Sequence, residues 1–138
     1  VLDNKYITYH GALPYDEVLA EEKRYDIGMA FYEDSMAFSY IGENTTKIFE
    51  YMKAGLPIIA SYTKNLSRII EIETESGICV STTDASDAVA KIGSLIRNRN
   101  RLINYSMNGW KAFMLDRNWN AVIRESQLES LLRRNSYQ

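Results

Sequence analysis

Between positions 44 and 50 the chain places three small polar residues, Asn44, Thr45 and Thr46, then a cation, Lys47, then a carboxylate, Glu50. A helix that starts at the threonines has N–H groups with no intrahelical acceptor, and the positive end of its dipole lies there. Such an end takes a phosphate. Small side chains let the phosphate approach closely, and Lys47 adds positive charge one turn in. Glu50 can accept hydrogen bonds from both hydroxyls of a ribose. The combination suits a nucleoside diphosphate, with ribose near Glu50 and phosphates near the helix start. The same residues also read as an ordinary N-cap followed by an i, i+3 surface pair of Lys47 and Glu50.

The elements that must hold these residues can be read from periodicity. TTKIFEYMKA, 45–54, has a helical pattern with Ile48, Phe49 and Met52 inward, and Gly55 is a good helix stop. Pro57 opens a short apolar strand, 57–60. Upstream, the aromatic and β-branched run Tyr6–Tyr9 predicts a strand ended by His10 and Gly11. A helix follows over 15–23 with Val18 and Leu19 on one face, then a buried strand over 25–31 and an irregular stretch over 32–44. Downstream come a helix over 65–73, a strand over 77–81 and a helix over 85–97 with N-cap residues in Ser81–Asp84. Two more helices, 99–114 and 119–134, complete the pattern, with no internal repeat and no linker. Short strands alternating with helices predict a parallel sheet wrapped by helices, with ligands at the carboxyl ends of the strands.

The stretch KIFEYMKAGLPIIAS, 47–61, strongly resembles the nucleotide-binding motif of GT-B fold glycosyltransferases of the family 4 type. Upstream, YHGALPYDEVLAEEKRYDIGMAF is similar to that family's glycine-containing loop, helix and Asp-Ile-Gly strand. Downstream, SGICVSTTDASDAVAKIGSLIRNRNRLINYSMNGWKAF and the RNWN turn resemble its later strand and helices, so the likeness covers nearly the whole chain. It implies a Rossmann-like α/β domain, the C-terminal, donor-binding part of a GT-B fold. It further implies a retaining transfer of a sugar from a nucleoside diphosphate (UDP or GDP) sugar to a glycan or lipid-linked acceptor, without metal or other cofactor. By resemblance Glu50 binds the donor ribose, Thr45 and Thr46 hold the diphosphate through backbone N–H groups, and Lys47 matches a lysine of one branch. Asn44 flanks them. Gly11 and Leu13 fall in the loop beside the nucleobase, and Asp26 matches a structural position. Tyr32, Glu33 and Asp34 follow a strand where relatives position the donor sugar.

Two departures stand out. The family's first motif glutamate stands eight positions before the second; here that position is Gly42, with Glu43 as the nearest acid able to replace it. The family's domain also opens with two further βα units carrying a basic pair, and it is preceded by an acceptor-binding N-terminal domain. Residues 1–138 are therefore expected to be a partial domain, completed by that missing N-terminal part or by another chain. No catalytic residue is assigned within them.

Composition narrows the alternatives. Of the 138 residues, 46% are hydrophobic and 25% charged, which excludes intrinsic disorder. No run approaches a membrane span, and no basic and apolar leader is visible, so a cytoplasmic protein is expected, either free or peripheral on the inner face of the membrane. A single cysteine, Cys79, and a single histidine, His10, exclude a disulfide framework and a Cys/His metal site. Cys79 reads as a small buried hydrophobe, and His10 as a loop-packing residue ahead of an acid/base one. The Asn-x-Ser/Thr matches at Asn44, Asn65 and Asn104 read as chance. Net charge is uneven: 1–96 carry 8 basic and 15 acidic residues, whereas 97–138 carry 8 basic and 3 acidic. The basic stretch lacks interleaved aromatics, so nucleic acid is not expected; a solvated face, a domain interface or a membrane surface remain. Two other functions fit the same residues: a GT-B 2-epimerase acting on a nucleotide sugar without an acceptor, and a non-catalytic nucleotide-binding or interaction module. A receiver domain, which needs clustered aspartates at strand ends, does not.

Overall fold

Two short strands, β2 (Ile58–Ser61) and β3 (Gly77–Val80), are buried at every position. Continuous apolar runs of this kind belong in a parallel sheet covered on both faces. The computed structural model describes residues 5–33 and 45–125. Among these, β1 (Gly28–Ala30), β2 and β3 form a parallel sheet in the order β1-β2-β3, with Gly28 opposite Ile58 and Ile58 opposite Gly77. The chain is thus α/β, as the alternation predicts, with helices on both faces.

The period of two along the strands splits the core. Ala30, Ile58, Ala60 and Cys79 face one layer, against Ile48 and Met52 of α2 (Thr46–Ala54) and Leu66, Ile69 and Ile70. Ile59, Ile78 and Val80 face the other, against Leu95 of α4 (Ala85–Arg97). Leu66 belongs to α3 (Lys64–Ser67), and the expected helix over 65–73 continues from it as a π-helix, Arg68–Glu73. α5 (Arg99–Leu115) packs on α2, with Gly109 against Ser76 and Met52 and the Ser106 hydroxyl donating to the Gly55 carbonyl at 2.6 Å. α1 (Tyr15–Glu22) lies beside α2, and α6 (Trp119–Glu125) follows α5. The remainder of the helix expected over 119–134 lies outside the described residues.

The turns follow local chemistry. Gly55 ends α2 with φ 73°, a left-handed cap that a side chain would strain, and the Leu56 N–H closes it on the Tyr51 carbonyl at 2.9 Å. Asp84 caps α4 by accepting from the Asp87 N–H at 3.0 Å, as its sequence predicts. Side chains cover both sheet edges. The Tyr51 ring lies where a Cβ on Gly28 would be, and its hydroxyl donates to the Met29 carbonyl at 3.0 Å. On the far side the Cys79 N–H of β3 donates to Glu71 Oε1 at 2.9 Å. Each contact occupies a backbone group that would otherwise invite another strand.

Two expectations fail: the buried strand expected over 25–31 is only Gly28–Ala30, with Tyr25, Met29 and Phe31 about half exposed. Tyr6–Tyr9 is not a strand; it runs exposed, with Tyr6 82% and Tyr9 87% accessible. Its β-prone residues have no neighbouring strand among the described residues, and a strand without a partner has no ladder to stabilise it.

Candidate functional site

Tyr32, Thr45, Thr46 and Lys47 meet at the carboxyl end of the sheet, because β1 and β2 end at Ala30 and Ser61 and α2 begins beside them. Tyr32 ties them together. Its N–H donates to the Ser61 hydroxyl at 3.0 Å, fixing the chain that leaves β1 to the end of β2. Its hydroxyl bonds the Thr45 hydroxyl at 2.8 Å. Thr45 is the N-cap of α2 in extended conformation, yet its side chain makes no capping bond to the helix. The threonine reads as an N-cap by position only: its oxygen is turned to Tyr32. Lys47 lies over the Tyr32 ring, 5.9 Å from its centroid.

Glu50 stands one turn beyond Thr46 on the same face of α2. Its neighbour is Tyr15, the first residue of α1; desolvation first, and then the Glu50 charge, raise the Tyr15 phenol above its ordinary value. Lys47 turned to Tyr32 and Glu50 beside Tyr15 replace the surface pair that their spacing also allowed. Gly11 and Leu13 belong to the loop that enters α1 just before Tyr15. Gly11 has φ 72° and nothing within 4 Å of where a Cβ would stand, so it shapes the loop without a close packing partner. A second acid, Glu22, comes from the last turn of α1. Desolvation, then the Glu50 charge, raise its carboxyl, with Lys53 acting in the opposite sense. Among the described residues its Oε2 is buried and finds no donor.

The structure therefore brings together Thr45, Thr46, Lys47 and Tyr32, and sets Glu50 beside Tyr15 at the start of α1. Glu43, Asn44 and Asp34 lie outside the described residues. His10 Nε2 is 3.3 Å from the Tyr25 hydroxyl at an exposed position, in keeping with a loop-packing role. Cys79 is buried, and burial, then Glu71, push its thiol up to about 12, so it is no nucleophile at neutral pH. Sequence reasoning missed Tyr15 and Glu22, because no local spacing links α1 to α2. It named Ser61 only within a motif, although a serine ending an apolar strand is a usable signal.

A small polar cleft, about 260 Å³, opens beside the ends of β2 and β3, lined by Tyr62, Cys79, Ser81, Thr82, Thr83 and Lys91. Another, about 330 Å³, lies before the start of β3, at the opposite end of the sheet. There Glu73 ties Arg68 to Arg117. Desolvation opposes it, but hydrogen bonds from the two arginines outweigh this and hold the Glu73 carboxyl below its ordinary value. That charge is structural. Among the described residues no cluster of three His, Cys, Asp or Glu can hold a metal ion, and no helix is long and apolar enough to cross a membrane. Comparison with known proteins finds no matching family model, no matching curated protein and no matching solved structure.

Proposed function

We propose that this chain is the donor-nucleotide half of a GT-B type glycosyltransferase, and that α2 is its nucleotide-holding element. One observation carries the reading: the Thr45 hydroxyl bonds Tyr32 and makes no capping bond, so among the described residues the α2 N-terminus has no side-chain cap at the carboxyl edge of a parallel sheet, with Glu50 one turn further on. In this arrangement the N–H groups of Thr46 and the next residues hold the diphosphate, with Lys47 beside it. Glu50 takes the ribose hydroxyls, and the 10–14 loop with Gly11 and Leu13 flanks the base. These groups bind and orient. Helix N–H groups and Lys47 stabilise charge that grows on the leaving diphosphate as the sugar moves to its acceptor.

The exposed Tyr6–Tyr9 run supports the partial-domain reading, since it is β-prone and pairs with no strand among the described residues. Strands from two further βα units, standing between it and β1, would give it one, and would have to displace the Tyr51 hydroxyl from the Met29 carbonyl.

Calorimetric titration of the protein that carries both GT-B domains with nucleoside diphosphates tests the reading. Glu50→Ala removes two charge-assisted hydrogen bonds and should weaken binding at least about tenfold. Unchanged affinity refutes it. Nucleotide release that needs no acceptor would favour the 2-epimerase, and absence of nucleotide binding the non-catalytic module.

A further inference from the structure

The outer face of α5 carries four large apolar side chains at helical spacing: Ile103, Met107, Trp110 and Met114. They are 46%, 63%, 52% and 53% exposed. Their separations, i, i+4, i+7 and i+11, put them on one stripe, about 16 Å long at 1.5 Å per residue. The opposite side of the same helix is the one that packs, through Leu102, Gly109 and Phe113. Scattered exposed apolar residues are ordinary, but a continuous row along three turns marks a contact surface.

Charge identifies the occupant. The 17 residues of α5 contain Arg99, Arg101 and Lys111 and no acid. From Arg97 to Arg124 the chain has six basic residues and one acid, Asp116; of the six, Arg117 pairs with Glu73, and Lys111 borders the cleft that Glu73, Glu75 and Asp116 also line. Arg97 and Arg99 line a polar cleft at the α4–α5 junction, and at the other end Met114 borders an open cleft with Lys53 and Arg124. A two-fold contact between copies would set this basic surface against itself, since each copy offers the same patch. An acidic, partly apolar layer answers both features at once.

We propose that α5 seats this chain on an anionic lipid bilayer. The stripe lies in the plane of the interface with Ile103, Met107, Trp110 and Met114 among the upper acyl carbons. Arg97, Arg99 and Lys111 reach the headgroup phosphates, their stems lying along the apolar surface. Trp110 sits at the depth where indole rings are favoured. The contact is peripheral and does not depend on nucleotide binding.

The test is co-sedimentation of the chain with vesicles of phosphatidylcholine alone or mixed with phosphatidylglycerol. Binding should be at least about tenfold stronger to the mixed vesicles, since each basic residue near the surface adds to the attraction. Trp110 emission should move to the blue and be quenched by brominated lipid, and this component should be missing in Trp110→Phe. The double variant Met107→Glu, Trp110→Glu should lose binding at least about tenfold with its urea midpoint unchanged, because both positions face solvent. Arg99→Gln with Lys111→Gln should lose the preference for phosphatidylglycerol. Equal sedimentation of the glutamate variant and the parent, or no association with mixed vesicles, overturns the proposal. So does a dimer that the glutamate variant dissolves without any vesicle binding, which would give the face to a second copy.

Discussion

Gly77 is the position where one methyl group does the most damage. It opens β3 opposite Ile58, and a Cβ built there would stand 1.9 Å from the Ile58 carbonyl oxygen and 2.7 Å from its carbon. Ordinary contact begins at 3.4 Å, so the backbone of β2 must retreat by about 1.5 Å. It cannot do so alone. Ile58 donates its N–H to the Ser76 carbonyl at 2.9 Å, and its side chain is fully buried. Separating β2 from β3 lengthens ladder bonds worth about 1 kcal/mol each, and overpacking a dry core adds about 1–3 kcal/mol. Gly77→Ala should therefore cost about 3–5 kcal/mol, a large share of the 5–15 kcal/mol typical of a domain. Urea unfolding followed by circular dichroism reads this directly. The partner experiment is Gly93→Ala in α4, where the added Cβ meets the far end of the flexible Arg97 side chain at 3.2 Å. There helix propensity should win and stability rise by about 0.5–1 kcal/mol. If Gly77→Ala loses less than about 1 kcal/mol, the strand-approach argument is wrong.

Glu22→Gln should alter the pH profile of stability. The folded Glu22 carboxyl is raised, so the native state holds its proton longer, and wild-type stability falls as pH rises from the unfolded value through the folded one. The glutamine variant lacks that fall and should match wild type near pH 4 yet have the higher urea midpoint at pH 7; a lower midpoint there contradicts the assignment. Glu73→Gln should behave in the opposite sense. The folded Glu73 carboxyl is depressed, so its contribution is present above the unfolded value and lost as pH falls through the folded one. The variant should be less stable at pH 7, with the gap closing in acid, and a gap that grows in acid would count against the Arg68–Glu73–Arg117 network. Cys79 should resist a disulfide reagent at pH 8 in the native state and react fully in urea. With the thiol near 12, roughly one molecule in ten thousand is thiolate at that pH. Rapid native labelling would show that β3 opens.

Much of the fold was legible because its signals are local. IIA and GICV are short apolar runs, and the helix after Asp84 announces its own N-cap; all three appear within a residue of where the pattern puts them. Tyr6–Tyr9 has an equally clear local pattern and is no strand, because a ladder needs a neighbour that composition does not supply. The stretch after Thr63 reads as one helix, and only its packing under β3, where Glu71 must reach the Cys79 N–H, accompanies its widening into a π-turn.

The site divides the same way. By itself the sequence determined which polar side chains share one helix: threonines at its start, a lysine in its first turn, a glutamate on the same face. Spacing along one helix sets those relations, and no distant contact can change them. Tertiary structure alone decided what each group is doing. Tyr32, thirteen residues away, takes the Thr45 hydroxyl from its capping role, and α1 brings Tyr15 and Glu22 to Glu50. It decided likewise that Trp110 and its neighbours stay uncovered while Gly109 is buried. A sequence states which side chains exist and which lie on one helical face; which face meets another element depends on the packing of the whole sheet.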